Sequence, residues 1–174
     1  EEYAHGADLD LTGGKVKVTY ASKPTEPQEY DLTLDMIKEA DGSDVDMTPE
    51  ATEYQDNKLS KTLKITYTEQ GVTGTAEYPI TIVNQITGIS MKTTPKTEYY
   101  IGDTLDITNG EILVTRQVGD PEAISLDKAI VENFDSSVVN DNLELTVKYT
   151  ENGITKETNY TVSVKDTIKN LKFN

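Results

Sequence analysis

The sequence predicts an all-β protein in which one sandwich is written twice. Three observations carry that expectation. Apolar and polar residues alternate at period two over the longest patterned runs, as half-buried strands require. Tight-turn pairs such as Asn152-Gly153 separate those runs. Two blocks also recur along the 174 residues: LDLTGGKVKVTY, Leu9 to Tyr20, matches LDITNGEILVTR, Leu105 to Arg116, at an offset of 96. LKITYTEQGVTGTAEYPITI, Leu63 to Ile82, matches LTVKYTENGITKETNYTVSV, Leu145 to Val164, at an offset of 82, so the first copy carries 14 extra residues between its blocks.

Taken in order, the opening strand of the second copy is ITGISM, Ile86 to Met91, and nothing in the first copy corresponds to it. The first copy is therefore expected to lack its opening strand and to expose an unpaired sheet edge beside an apolar groove. EYAHGADLD, Glu2 to Asp10, aligns with EYYIGDTLD, Glu98 to Asp106, which sets His5 opposite Ile101. Turn pairs Gly13-Gly14 and Asn109-Gly110 precede alternating strands carrying Val16, Val18 and Tyr20, or Ile112, Val114 and Arg116. Leu34 to Ala40 and Leu126 to Glu132 carry the little helical pattern there is, a turn or two at most, and short strands explain the second equally well. The paired blocks then give two long strands each, Leu63, Ile65 and Tyr67 on one face and Tyr78, Ile80 and Ile82 on the next, joined by Gln70-Gly71. Leu145, Val147, Tyr149 and Tyr160, Val162, Val164 repeat the arrangement around Asn152-Gly153. Threonine at 25 positions suits strand surfaces through its β-branching.

Finally IKNLKF, Ile168 to Phe173, repeats the spacing of Ile86, Ile89 and Met91. The expected organisation is thus a truncated unit over 1–85 with an acidic insert, a whole unit over 86–167, and over 168–174 the first strand of a following repeat. The chain reads as an excerpt of a longer array. Units of this size, rich in short strands and turns, predict two tandem immunoglobulin-like β-sandwich domains, the first lacking its opening strand.

Composition narrows the function. There is no cysteine and one histidine, so thiolate chemistry is excluded and imidazole chemistry nearly so. Sixteen basic against 31 acidic residues give a formal charge of -15, which repels nucleic acid and anionic lipid. Mean hydropathy is -0.54, no apolar run approaches the roughly 18 residues of a membrane span, and no basic-then-apolar leader opens the chain. No nucleophile, metal set or cofactor fingerprint emerges, so an enzyme is not expected and no catalytic residue is assigned.

The stretch from ITGISM through LDITNGEILVTR, FDSS at Phe134 to Ser137, and LTVKYTENGITKETNYTVSV resembles the bacterial Ig-like domain of group 3 over residues 86 to 167. Gly102-Asp103, Leu105-Asp106 and the Asn-Gly before Glu111 are the family-like marks. The first copy keeps Gly6, Leu9, Asp10, Gly13 and Gly14, but Ala7 replaces the Asp and FDSS has no recognisable counterpart. The resemblance implies an extracellular accessory module, found in tandem on secreted and wall-attached proteins of Gram-positive bacteria, adhesins among them, with no catalytic residues to transfer.

Two constellations are candidates for binding. Tyr3 with Tyr99, Tyr67 with Tyr149 and Tyr78 with Tyr160 recur at matching positions, as packing residues do. Tyr30 and Tyr54 do not recur and flank the insert, so they are the candidate ligand platform, for a host or cell-wall glycan or a protein. Between Glu26 and Asp56 lie eleven carboxylates and only Lys38, and within that window Asp41, Asp44 and Asp46 cluster around DGSDVD as candidate calcium ligands, although the spacing completes no EF-hand and a solvated acidic loop explains it better. The reading is a non-catalytic spacer, stalk or adhesion module of a bacterial cell-surface or secreted protein, without cofactor unless calcium binds. The alternative is a carbohydrate- or calcium-binding module using the loop around residues 41–54. Weak self-association through 168–173 is a further expectation.

Overall fold

The computed structural model describes all residues but Asn170, Phe173 and Asn174, and divides into two compact units, Glu1–Asn84 and Gln85–Asn174. Both are all-β. The first contains β1 (Glu2–Ala4), β2 (Lys15–Tyr20), β3 (Lys23–Asp31), β4 (Ile37–Lys38), β5 (Lys58–Glu69) and β6 (Val72–Val83). The second contains β7 (Ile86–Thr93), β8 (Glu98–Tyr100), β9 (Glu111–Arg116), β10 (Glu122–Ser125), β11 (Ile130–Glu132), β12 (Asn140–Glu151) and β13 (Ile154–Lys165).

The units share one plan. In the first, a four-stranded sheet runs β1-β6-β5-β4, and in the second the matching sheet runs β8-β13-β12-β11. Each begins with a three-residue strand lying parallel to the last long strand, Tyr3 beside Ile82 and Tyr99 beside Val164. The long strands form the hairpins the sequence predicts. Gln70 and Gly71 (φ 51° and 80°) and Asn152 and Gly153 (φ 49° and 77°) are both left-handed, the backbone a type I′ turn demands and Asn-Gly tolerates best.

The second sheets differ by one strand. In the second unit it is β10-β9-β7, and in the first it is only β2-β3. Among the described residues, β3 is the one strand paired with β2.

Alternation puts Tyr3, Ile37, Leu63, Ile80 and Ile82 into the first core, and Tyr99, Ile112, Val114, Leu126, Leu145, Val147, Val162 and Val164 among others into the second. Gly14 and Gly110 sit where the chain passes beneath a leucine. A Cβ on Gly110 would lie 2.8 Å from Leu126 Cδ2, and one on Gly14 would lie 3.3 Å from Leu32. The turn glycine thus serves close packing in both copies, and Leu126 and Leu32 donate their backbone N–H to its carbonyl at 2.9 Å.

The two helical expectations shrink to single 3-10 turns, Leu34–Met36 and Leu126–Lys128, because each chain is claimed one residue or two later by an edge strand, β4 or β11. FDSS, expected to be unmatched, has a counterpart after all. Gly102 N–H reaches Ser136 O (3.1 Å) and Gly6 N–H reaches Met47 O (2.7 Å). Asp135 accepts from Ser137 N–H just as Asp46 accepts from Thr48 N–H, both at 2.8 Å. Val45-Asp46-Met47-Thr48 is therefore the first unit's version of Phe134-Asp135-Ser136-Ser137. The connection between units is two residues, Asn84 and Gln85, since β6 runs through Val83 and β7 begins at Ile86. Of the stretch 168–174, Ile168, Lys169, Leu171 and Lys172 are described and belong to no strand, with Ile168 and Leu171 88% and 90% exposed; the remainder of that expected strand, beyond Thr167, lies outside the described residues.

Candidate functional site

A groove of the first unit lies beside the two-stranded sheet. It measures about 500 Å³ and is bounded on one side by β2 and on the other by β6, with Val16, Val18, Tyr20, Ile65, Val72 and Ala76 among its walls. Its apolar character follows from the repeat. Val16, Val18 and Ile65 are the counterparts of Ile112, Val114 and Val147, which are 0% exposed in the second unit, whereas all three are partly exposed in the first. Val72 stands where the second unit has the half-buried Ile154, and it is 75% exposed. Residues written for a core are open to water here.

One end of the groove is closed by phenols. The Tyr20 hydroxyl donates to the Glu69 carboxylate and lies 2.9 Å from the Tyr30 hydroxyl, while the Tyr30 and Tyr67 rings pack at 4.8 Å. The hydrogen bond to Glu69 holds the Tyr20 phenol well above its ordinary range. Tyr30 is thus part of a packed aromatic group. Tyr54 belongs to another, on the rim of the first core, where its hydroxyl meets His5 Nδ1 at 2.9 Å, and burial raises its pKa. The structure does not bring Tyr30 and Tyr54 together as one platform.

The acidic candidates are likewise dispersed among local partners. Asp41 accepts from Ser43 N–H and Oγ–H at 2.9 and 2.6 Å, and those bonds hold its carboxyl below the usual range. Asp46 does the same for Thr48. Asp44 pairs with Lys38 Nζ at 2.5 Å. These are the side-chain-to-backbone turns that Asp forms most readily, and they aim the carboxylates at their own loops. Among the described residues no group of three or more His, Asp or Glu side chains is placed to hold a metal ion.

The marks of the second copy also act locally. Asp103 accepts from Tyr100 N–H at 3.0 Å and pairs with Lys96 at 3.1 Å, across a turn whose Gly102 has φ 89°. Asp106 accepts from Thr108 N–H, as Asp10 does from Thr12 N–H. Tyr99 O–H reaches the Asp106 carbonyl at 3.0 Å from within the core. Such residues recur because turns need them.

Sequence reasoning missed one charged cluster. Arg116, 7% exposed at its side chain, donates through Nε and Nη2 to both Glu151 oxygens at 2.8 Å and through Nη1 to Glu122 at 2.8 Å, while Tyr149 O–H donates to Glu151 at 3.0 Å. The signal was present, because Tyr20 and Arg116 occupy matching positions of the repeat with unlike chemistry.

Residues 92–164 match the family model of the bacterial Ig-like domain (group 3). No curated protein matches the chain. Among the described residues no helix is long and apolar enough to cross a membrane.

Proposed function

We propose that this chain, whose second unit carries a group 3 bacterial Ig-like domain, is a spacer: a non-catalytic stretch of stalk that holds other domains of an exported Gram-positive surface protein away from the wall. Domains of this family are extracellular modules, and the finer role rests on how the two units are joined. β6 ends at Val83 and β7 begins at Ile86. Asn84 is 4% exposed and donates its N–H to Asn57 O at 2.9 Å, within its own unit. Gln85 exchanges bonds with Gln117 in the other, its N–H reaching Oε1 at 3.1 Å and its carbonyl accepting from Gln117 N–H at 3.0 Å. Each residue of the connection is fastened to the unit beside it. The connection is two residues long, far shorter than a flexible Gly/Ser linker. A net charge of -15 favours an extended, soluble array.

The experiment is a distance measurement. The chain has no cysteine, so T12C and E157C place one spin label on each unit without competition. A narrow distance distribution that broadens when a short Gly/Ser segment is inserted between Asn84 and Gln85 is the expected result. A wild-type distribution as broad as that of the insertion would end the spacer reading.

A further inference from the structure

The second unit contains two Asn-Gly pairs, and the fold treats them oppositely. In such a pair the backbone nitrogen of the second residue reaches the side-chain amide of the first most readily, because glycine puts no side chain in the way. Asn109-Gly110 is locked. Gly110 is buried, donates its N–H to Ile107 O at 3.0 Å and accepts from Leu126 N–H at 2.9 Å, and a Cβ on it would lie 2.8 Å from Leu126 Cδ2. Asn152-Gly153 is open. Both residues are exposed at the tip of the β12-β13 hairpin, no heavy atom beyond the chain neighbours lies within 4 Å of a Cβ placed on Gly153, and the strands begin to pair at Glu151 and Ile154. The first unit carries Gln70-Gly71 at the same tip, where the longer side chain would have to close a six-membered ring, a slower step than closing a five-membered one.

We propose that Asn152 is a site of spontaneous covalent modification, with water as the co-reactant. The Gly153 backbone nitrogen gives up its proton and bonds to Asn152 Cγ, the bond from Cγ to the side-chain nitrogen breaks, and that nitrogen leaves with the proton as ammonia. Water then opens the cyclic imide at one carbonyl or the other, giving aspartate or, with the chain now running through Cγ, isoaspartate. One water is consumed and one ammonia released, and nothing is oxidised or reduced. Asn152 sits at φ 49°, and this left-handed turn has to relax before the nitrogen can face Cγ. Each site therefore reacts at the population of its opened turn, and an exposed hairpin tip opens far more often than a packed corner. Isoaspartate lengthens the backbone of a two-residue turn by one carbon, which the type I′ geometry does not accommodate. It does so next to Glu151, whose two carboxylate oxygens are clasped by Arg116. The modification thus loosens the charged corner of the second unit and leaves the first unit, with Gln70, unchanged.

Ageing the full chain at mildly alkaline pH and mapping its peptides by mass spectrometry tests this. The native protein is expected to convert Asn152 roughly tenfold or more faster than Asn109, and an isoaspartyl methyltransferase should label the aged chain at 152. In denaturant, where packing no longer separates the two sites, their rates converge. Asn152→Gln, which copies the first unit, stops the reaction at the tip. The isoaspartyl form, once separated, has a second unit that melts at lower temperature, whereas Asn152→Asp, which adds the charge without the extra carbon, melts close to wild type because Asp tolerates the left-handed region. Equal native rates at 152 and 109, or no reaction at 152 until the chain unfolds, would overturn the proposal. An isoaspartyl form whose second unit melts as the wild type does would overturn the link to Arg116.

Discussion

At one corner of the fold the two units solve the same problem with opposite chemistry. The second buries Arg116 among Glu151, Glu122 and Tyr149, and the first places Tyr20 with Glu69 and Tyr67 at the equivalent positions, joined by Tyr30 from the rung of Val16. The difference follows from β7. Its Ile86 pairs with Arg116 and shuts water out, and in a dry site a guanidinium forked onto a carboxylate is strong. In the first unit β2 has only β3 beside it among the described residues, and its corner is half-exposed. A charge pair there is screened towards the small worth of surface salt bridges, whereas hydroxyls and stacked rings keep most of theirs. One strand therefore decides which side chains are useful on its neighbours.

The largest effects should come from the cores. Leu63 and Leu145 are equivalent and both 0% exposed. Truncating either to Ala costs about 2–5 kcal/mol, with the larger loss at Leu145, since a core closed on all sides cannot relax into the gap. Calorimetry should show two transitions, with Leu63→Ala lowering one and Leu145→Ala the other by roughly 10 °C or more. A single transition that both changes lower equally would erase the distinction between the units.

Next comes the charged corner. Arg116→Ala strands Glu151 in a mostly buried place and is expected to cost about 3 kcal/mol, against about 1 kcal/mol for Tyr20→Phe, whose carboxylate partner can turn to water. The pH dependence has a fixed sign. Hydrogen bonds from Arg116, reinforced by its charge, hold the Glu151 carboxyl below its ordinary 4.5 against the opposing effect of burial. A depressed folded pKa contributes stability that is complete above the unfolded value and disappears as pH falls through the folded one. Acidification below about pH 4.5 should therefore lower the second unit's melting temperature more in the wild type than in Arg116→Ala. Parallel curves would show that the cluster contributes nothing specific.

Much of this was legible in the sequence, and the omissions have physical causes. Repeats, long strands and hairpins were readable because periodicity and Asn-Gly turns are local signals. The two-stranded sheet of the first unit was readable because Ile86 to Met91 has no counterpart within residues 1–85. β1 and β8 were recognised only as aligned segments, since three residues carry no period. The match between Val45 to Thr48 and Phe134 to Ser137 was hidden because the two share only their aspartate and stand 89 apart, an offset unlike either repeat. What fixes them is the backbone bond each makes to Gly6 or Gly102, a tertiary fact. The acids at 41, 44 and 46 raise the same difficulty: the residue types that close Asx turns are those that ligate calcium, and only geometry separates the two uses.

The smallest expected effect sharpens the comparison through charge. Residues 1–85 carry a net -10 and residues 86–174 a net -5, and most of the first figure comes from the stretch Glu26 to Asp56. Self-repulsion among exposed carboxylates disfavours the compact state, and salt shortens its reach from about 10 Å at 0.1 M to about 3 Å at 1 M. Sodium chloride should thus raise the first unit's melting temperature by about 2 °C relative to the second. The direction is not trivial, because the same salt weakens surface pairs such as Lys38 with Asp44 and Lys15 with Asp31. Those pairs are highly exposed and contribute little, so repulsion decides the sign. Asp44→Asn, which removes a 93% exposed carboxylate, should shrink the salt effect without moving the second transition. If calcium at equal ionic strength raised the first transition well beyond sodium, screening would no longer account for it, and the loop around Asp41 would have to gather its carboxylates around the ion at the expense of the turns they now close.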